Sequence, residues 1–155
     1  MSAEKAKKYL EDLGFGDRIR FFDQSSATVE LAAAALGCEP ARIAKSLTFM
    51  VNDKPVMILA AGDVKIDNPK YKARFGTKAK MLTAEQVSEL IGHEVGGVCP
   101  FGINDGVEVY LDVSLKRFDY VYPACGSGNS AVKLTIEELE RCSGYKEWID
   151  VSKTV

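Results

Sequence analysis

The sequence predicts an α+β fold: one domain with a mixed, partly barrel-like β-sheet surrounded by helices. Three observations carry that prediction. Short segments alternate apolar and polar residues, as in Val107, Val109 and Leu111 set against Glu108 and Tyr110, the pattern of a half-buried strand. Thr83-Ala84-Glu85-Gln86 and Thr135-Ile136-Glu137-Glu138 are capping-box patterns that open helices. Strands and helices mix without regular β-α-β alternation, which argues against a doubly wound parallel sheet. A chain of 155 residues suits one domain with a real core.

Taken in order, residues 3–13 read as an amphipathic helix. Ser2 caps it, Ala6, Tyr9, Leu10 and Leu13 line one face, and Gly14 stops it. Residues 19–22 read as a short strand. Ser25-Ser26-Ala27-Thr28 offers caps for an alanine-rich helix that ends at Leu36-Gly37, and Pro40 starts a further helical turn. An apolar stretch beginning at Ala44 reads as a strand with Lys45 at its entrance. Asn52-Asp53 then turns the chain into the partner strand, residues 55–61. Asp67-Asn68-Pro69 opens a short helix ended by Gly76, and residues 84–91 form the capped helix after Thr83. Strands are expected at 107–111, 120–122 and 132–134, and the last helix starts after Thr135.

Hydrophobic residues make up 46% of the chain and charged residues 27%, ordinary for a soluble globular protein. No apolar run is long enough to span a membrane, and the first residues lack the apolar core of a signal peptide, so a cytoplasmic protein is expected. Cys38, Cys99, Cys125 and Cys142 form no C-x-x-C pair, and no histidine cluster accompanies them. Neither a zinc site nor a disulfide framework is expected, and Cys38 and Cys142 read as small buried residues. The one histidine, His93, follows Gly92 at a helix end, where histidines cap carbonyls. Any serine-histidine hydrolase chemistry would rest on that one residue.

The formal net charge is −2, which does not mark a nucleic-acid binder. Its distribution is uneven. Between Val64 and Lys80 stand Lys65, Lys70, Lys72, Arg74, Lys78 and Lys80 against Asp67 alone, a local net of +5. Such a patch contacts phosphates locally, or is only a solvated helix face.

Two segments carry the chemistry. In Ile43-Ala44-Lys45-Ser46-Leu47 a lone ammonium group sits at a strand entrance, where it is held firmly and aimed into a cleft. Gly96-Gly97-Val98-Cys99-Pro100-Phe101 is a glycine-rich bend closed by proline, where backbone approaches a ligand with no Cβ in the way. Gly126-Ser127-Gly128-Asn129-Ser130-Ala131 fits the letters of a dinucleotide fingerprint, but a strand rather than a helix follows it. It reads as a glycine turn whose backbone N–H groups form an anion nest. Asp112 reads as the cap of a following turn rather than a base. A Cys99–His93 nucleophilic pair is conceivable, but a helix-end histidine shows no evident orienting geometry.

Lys45 in its Ile-Ala-Lys-Ser-Leu setting, the Gly-x-x-x-Pro motif from Gly96 to Pro100 and the helix end at Gly37 resemble the YbaK-like prolyl-tRNA-editing domains. The resemblance runs from about Ser25 to Leu139. It implies a trans-editing hydrolase that deacylates tRNA misacylated with a small amino acid, with water as the attacking group and no cofactor or metal. Lys45 and Gly96 are then the catalytic elements. Ala44, the Gly97–Pro100–Phe101 stretch, Gly126 and Asn129 belong to the aminoacyl pocket, with Thr28 and Ser46 in secondary places. Lys70, Lys72 and Arg74 face the tRNA, and the partners are aminoacyl-tRNA and a synthetase. Where well-known members carry Gly-Gly and a basic residue, this chain has Cys125-Gly126-Ser127. The amino acid removed therefore does not carry over. The alternative is a non-catalytic module that binds an aminoacyl or nucleotide end, or a synthetase, in the same pocket.

Overall fold

The computed structural model describes residues 2–155, with the side chain of Ser2 outside the description. Helix α1 spans Ser2–Asp12 and buries Ala6 and Leu10. Whether Ser2 caps it lies outside the described residues. Strand β1 (Ile19–Phe21) follows, then α2 (Val29–Leu36). Thr28 caps α2 by accepting the Leu31 N–H at 3.2 Å, and Gly37 closes it in the left-handed conformation.

The centre of the fold is the hairpin of β2 (Ile43–Val51) and β3 (Lys54–Ala61). Asn52 and Asp53 have φ of 49° and 66°. Two consecutive left-handed residues make the tight turn whose twist suits a hairpin, and Asn and Asp tolerate it best after glycine. The hairpin lies inside a six-stranded mixed sheet ordered β8-β6-β2-β3-β5-β9. These partners are β5 (Glu108–Asp112), β6 (Tyr120–Pro123), β8 (Leu134–Thr135) and β9 (Glu147–Ile149). β3 is apolar on both faces because cores lie on both sides of it.

Two short ribbons complete the strands. β1 pairs with β7 (Ser130–Val132), and β4 (Val64–Ile66) pairs with β10 (Ser152–Thr154). The expected strand at 132–134 is thus two strands. β7 pairs with β1 and β8 with β6, so the chain changes partner at Lys133. Helix α3 (Asn68–Phe75) packs Tyr71 against Phe49, with ring centroids 5.1 Å apart. Helix α5 (Ile136–Ser143) starts at the full Thr135–Glu138 capping box.

The expected helix over 84–91 is regular only through α4 (Ala84–Gln86), then widens into a π turn at Val87–Ile91 closed by Gly92 N–H to the Val87 carbonyl. Carbonyls from this end bond elsewhere: Asn104 donates to those of Glu89 and Leu90 at 3.1 and 3.3 Å, and Lys5 to that of Gly92 at 3.1 Å. None of the helices is long and apolar enough to cross a membrane, among the described residues.

His93 is buried behind this helix end, and its Nε2 donates to the Phe101 carbonyl at 2.7 Å. Burial holds its pKa below the ordinary value. The unfolded chain therefore takes up this proton at a higher pH than the folded one. Stability is complete above the unfolded value near about 6.5 and falls as pH drops through the folded value. We expect His93→Gln to flatten the loss of stability between pH 7 and pH 5, read as urea midpoints. A parallel decline in parent and variant would remove His93 from the acid response.

Candidate active site

The site forms where β2 loses its neighbours. Toward β6, the ladder reaches only Ala44, opposite Pro123. On the same edge the next cover comes at Thr48, whose carbonyl accepts the Leu82 N–H at 3.1 Å. The two-residue turn makes odd positions of β2 bond to β3, so the N–H and C=O of Ser46 point into the gap. Neither has a hydrogen-bond partner among the described residues. The Ser46 hydroxyl is also buried without a partner.

Three loops close over this gap. The Ser26 N–H donates to the Gly128 carbonyl at 2.6 Å, which ties segment 25–28 to segment 126–130. Gly97 lies against the same segment: a Cβ there would stand 2.4 Å from the Ser127 nitrogen and 2.6 Å from the Gly126 carbonyl carbon. Only glycine allows two backbones to meet this closely. Gly96, at φ of 96°, sits beside Ala27, and its N–H is uncommitted among the described residues.

The partly open cavity is about 90 Å³, and its lining includes Thr28, Ala44, Lys45, Gly96, Tyr122 and Ser26. A second, more exposed hollow of about 260 Å³ adjoins it and shares Ala27 and Gly96. Ser46, Met81 and Val95 line that one. The inner volume is smaller than the roughly 150 Å³ that admits a benzene ring.

Lys45 lies on the face of β2 that carries Ile43 and Phe49. Ile43 packs with Ala32 and Ala33 of α2, and Phe49 with Tyr71 of α3. Lys45 falls in the interval between the two clusters, which is why a charged residue is tolerated there. Its ammonium donates to the Val64 carbonyl, its sole hydrogen-bond acceptor among the described residues. An ammonium has three N–H groups, so two remain uncommitted. Burial lowers the Lys45 pKa, against the opposing pull of the Asp63 and Glu30 carboxylates.

Thr28, Ala44, Lys45 and Gly96 thus meet at one cavity, with Ser46 at its neighbour. Others stand elsewhere. Phe101 is fully buried and packs beside Tyr9, and Pro100 is buried next to it. Asn129 holds the loop together, accepting from Ser127 at 2.8 Å and donating to the Phe22 carbonyl at 3.2 Å. Gly97 packs against the Gly126–Ser127 backbone, and neither Gly97 nor Gly126 lines either hollow. Lys70 is engaged by Asp150 at 3.1 Å and Arg74 by Glu147, while Lys72 is exposed. Ser26 was legible only as a possible cap, yet its buried hydroxyl lacks a partner beside the cavity. Tyr122 lies in the strand expected over 120–122, but nothing in the sequence singled it out as a site residue.

Cys99 and His93 do meet, with Sγ 3.5 Å from Nε2. The pair is sealed in the core, and burial pushes the Cys99 thiol far up, away from thiolate. The Cys125 thiol is pushed up to about 12 by burial. Cys142 is buried, whereas Cys38 is partly exposed, since only one side of it packs, against the α2 cluster.

A curled mixed sheet, capped helices and a lysine-bearing cavity under a glycine loop define an α+β domain. The chain belongs to the aminoacyl-tRNA editing domain family, which matches residues 23–142. It is 51% identical over 154 residues to the uncharacterized protein YwhH of Bacillus subtilis (strain 168), covering 99% of this chain and 98% of that one. It is 27% identical over 150 residues to the proline–tRNA ligase of Bacillus cytotoxicus, spanning 96% of this chain but 25% of the ligase. A crystal structure described as a candidate trans-editing enzyme for prolyl tRNA synthetase superposes with a TM-score of 0.88 at 31% identity, covering 98% of this chain and 97% of that one.

Proposed function

We propose that this protein is a trans-editing deacylase that hydrolyses the ester between a small amino acid and the 3′ end of a wrongly charged tRNA. The observation that carries this reading is the half-buried Lys45 ammonium, with two uncommitted N–H groups, lining a cavity of about 90 Å³ beside Gly96. Water adds to the ester carbonyl, and the carbonyl oxygen takes up negative charge. Lys45 and the free Gly96 N–H supply donors for that oxygen or for the adjoining phosphate. The bond from carbon to the ribose oxygen then breaks, one proton of the added water passes to the ribose oxygen and the other to solvent, and the amino acid leaves as its carboxylate. An activated ester needs positioning and oxyanion stabilisation more than a strong nucleophile, which agrees with a buried thiol and a buried histidine. The small inner cavity favours a small side chain, and the Thr28 and Ser26 hydroxyls supply polar contacts at its wall.

The test is a panel of alanyl-, cysteinyl-, seryl- and prolyl-tRNA, followed as release of free amino acid. Hydrolysis of one or more charged tRNAs above the rate in buffer supports the reading. Tight binding of an aminoacyl end with no hydrolysis of any of the four overturns it in favour of a non-catalytic module.

The same assay separates the two loop chemistries. Cys99→Ala is expected to keep the parental rate, with a stability loss on the order of 1 kcal/mol from the small cavity left behind. A folded Cys99→Ala with no activity would make the thiol the nucleophile.

A further inference from the structure

In the β4–β10 ribbon, Lys65 and Lys153 stand directly opposite each other. Both are exposed, because the strands' inward positions are filled by Val64 and Ser152. Like charges directly opposite across an antiparallel pair oppose folding. Neither lysine has a carboxylate or other hydrogen-bond partner among the described residues, whereas several other cations do. Arg117 is held by Asp63 at 2.9 Å, Lys70 by Asp150 at 3.1 Å and Lys146 by Glu108 at 3.2 Å. Lys70 also donates to the Ser152 carbonyl at 2.9 Å, which packs a further cation beside β10. The two lysines thus stand as an unneutralised, mutually repelling pair among the described residues.

The position of that pair gives it a use. The residue before Lys65 is Val64, whose carbonyl holds the Lys45 ammonium. The ribbon thus adjoins Lys45 through Val64, so a polyanion whose end lies at Lys45 can extend onto it. We propose that Lys65 and Lys153 form a two-lysine clamp on the RNA phosphate backbone adjoining the 3′ end. The assignment rests on the deacylase reading for what lies at Lys45. It replaces Lys70 and Arg74, already committed to carboxylates, as the principal phosphate contact. Its charge is complementary to phosphate, it presents no apolar surface, and the repulsion between the two lysines is relieved when an anion lies between them.

Lys153→Glu tests the clamp, because it turns a repelling pair into an attracting one. Binding of a fluorescent uncharged tRNA transcript is measured at several salt concentrations for the parent, Lys153→Glu and Lys65→Gln/Lys153→Gln, with thermal melts of each. Lys153→Glu is expected to melt above the parent yet bind tRNA roughly tenfold more weakly, and the double glutamine variant is expected to lower the slope of log Kd against log salt by about 1 to 2. Unchanged Kd and slope in both variants overturn the clamp, as does a parent that binds no tRNA at low salt. The melts show whether a weakened variant is still folded. Thermal stabilisation of the parent by inorganic phosphate, abolished in the variants while tRNA binding stays the same, assigns the pair to a free anion and also overturns it. The two readings fail separately. A parent that binds tRNA through the ribbon but hydrolyses no charged tRNA loses the deacylase reading alone, and one that hydrolyses with ribbon variants unchanged loses the clamp alone.

Discussion

Lys45→Ala is expected to reduce hydrolysis of the preferred misacylated tRNA by about a hundredfold or more, equivalent to about 3 kcal/mol of transition-state stabilisation. The fold should survive. The substitution removes one hydrogen bond, to the Val64 carbonyl, and an unmade bond at a partly buried carbonyl costs about 1 kcal/mol. The two effects differ enough to separate. Lys45→Met keeps the apolar stem between the α2 and α3 clusters and removes only the ammonium, so it should be as inactive as the alanine variant and closer to the parent in stability. Rates at saturating and at low tRNA divide the roles further. A fall in kcat with KM unchanged places the ammonium on the developing oxyanion. A rise in KM with kcat unchanged places it on a ground-state phosphate. Parental kcat and KM in a folded Lys45→Met would remove Lys45 from the site altogether.

Much of this site was legible because its parts are local. A lysine at a strand entrance, a glycine bend ending in proline and a threonine cap are each set by neighbouring residues, and the fold brings Thr28, Ala44, Lys45 and Gly96 to one cavity. The hairpin was legible for the same reason, since Asn52-Asp53 alone specifies its turn. What the sequence concealed depends on distant partners. Strands β4, β9 and β10 are three residues each, and Glu147-Trp148-Ile149 or Ser152-Lys153-Thr154 becomes a strand only by pairing with β5 or β4. Phe101 shows the limit of a loop motif. The Gly-x-x-x-Pro spacing describes the backbone bend, but not that the next side chain turns into the core beside Tyr9. The basic stretch shows it again. Charge counting treats Lys70 and Lys65 alike, whereas Asp150 and Ser152, some eighty residues away, claim the first, and no such partner meets the second among the described residues.

Asp112→Ala is expected to be the most destabilising of these substitutions, by about 3–5 kcal/mol, because it leaves three buried donors unsatisfied at about 1–3 kcal/mol each. The carboxylate is fully buried at the end of β5. Its Oδ2 accepts the Ser114 N–H at 3.0 Å and the Ser152 hydroxyl at 2.6 Å, and its Oδ1 accepts the Val151 N–H at 2.9 Å. It is thus a turn cap, as its Asp-Val-Ser-Leu setting suggests, and it also ties the C-terminal strand to the central sheet. Alanine strands three donors where water does not reach. Asparagine keeps one acceptor but turns an NH₂ group toward a donor, so Asp112→Asn should be destabilised as well, though less. The effect should reach the site by a traceable route. Asp112 holds Ser152, Ser152 pairs with Ile66, and β4 offers the Val64 carbonyl to Lys45. In urea titrations the midpoint of Asp112→Asn should fall, and its KM for charged tRNA should rise at temperatures where the protein is still folded. A midpoint within error of the parent would mean that the buried carboxylate does not hold β10 to the sheet. A lowered midpoint with KM unchanged would confine its influence to stability and cut the route from Asp112 to Lys45.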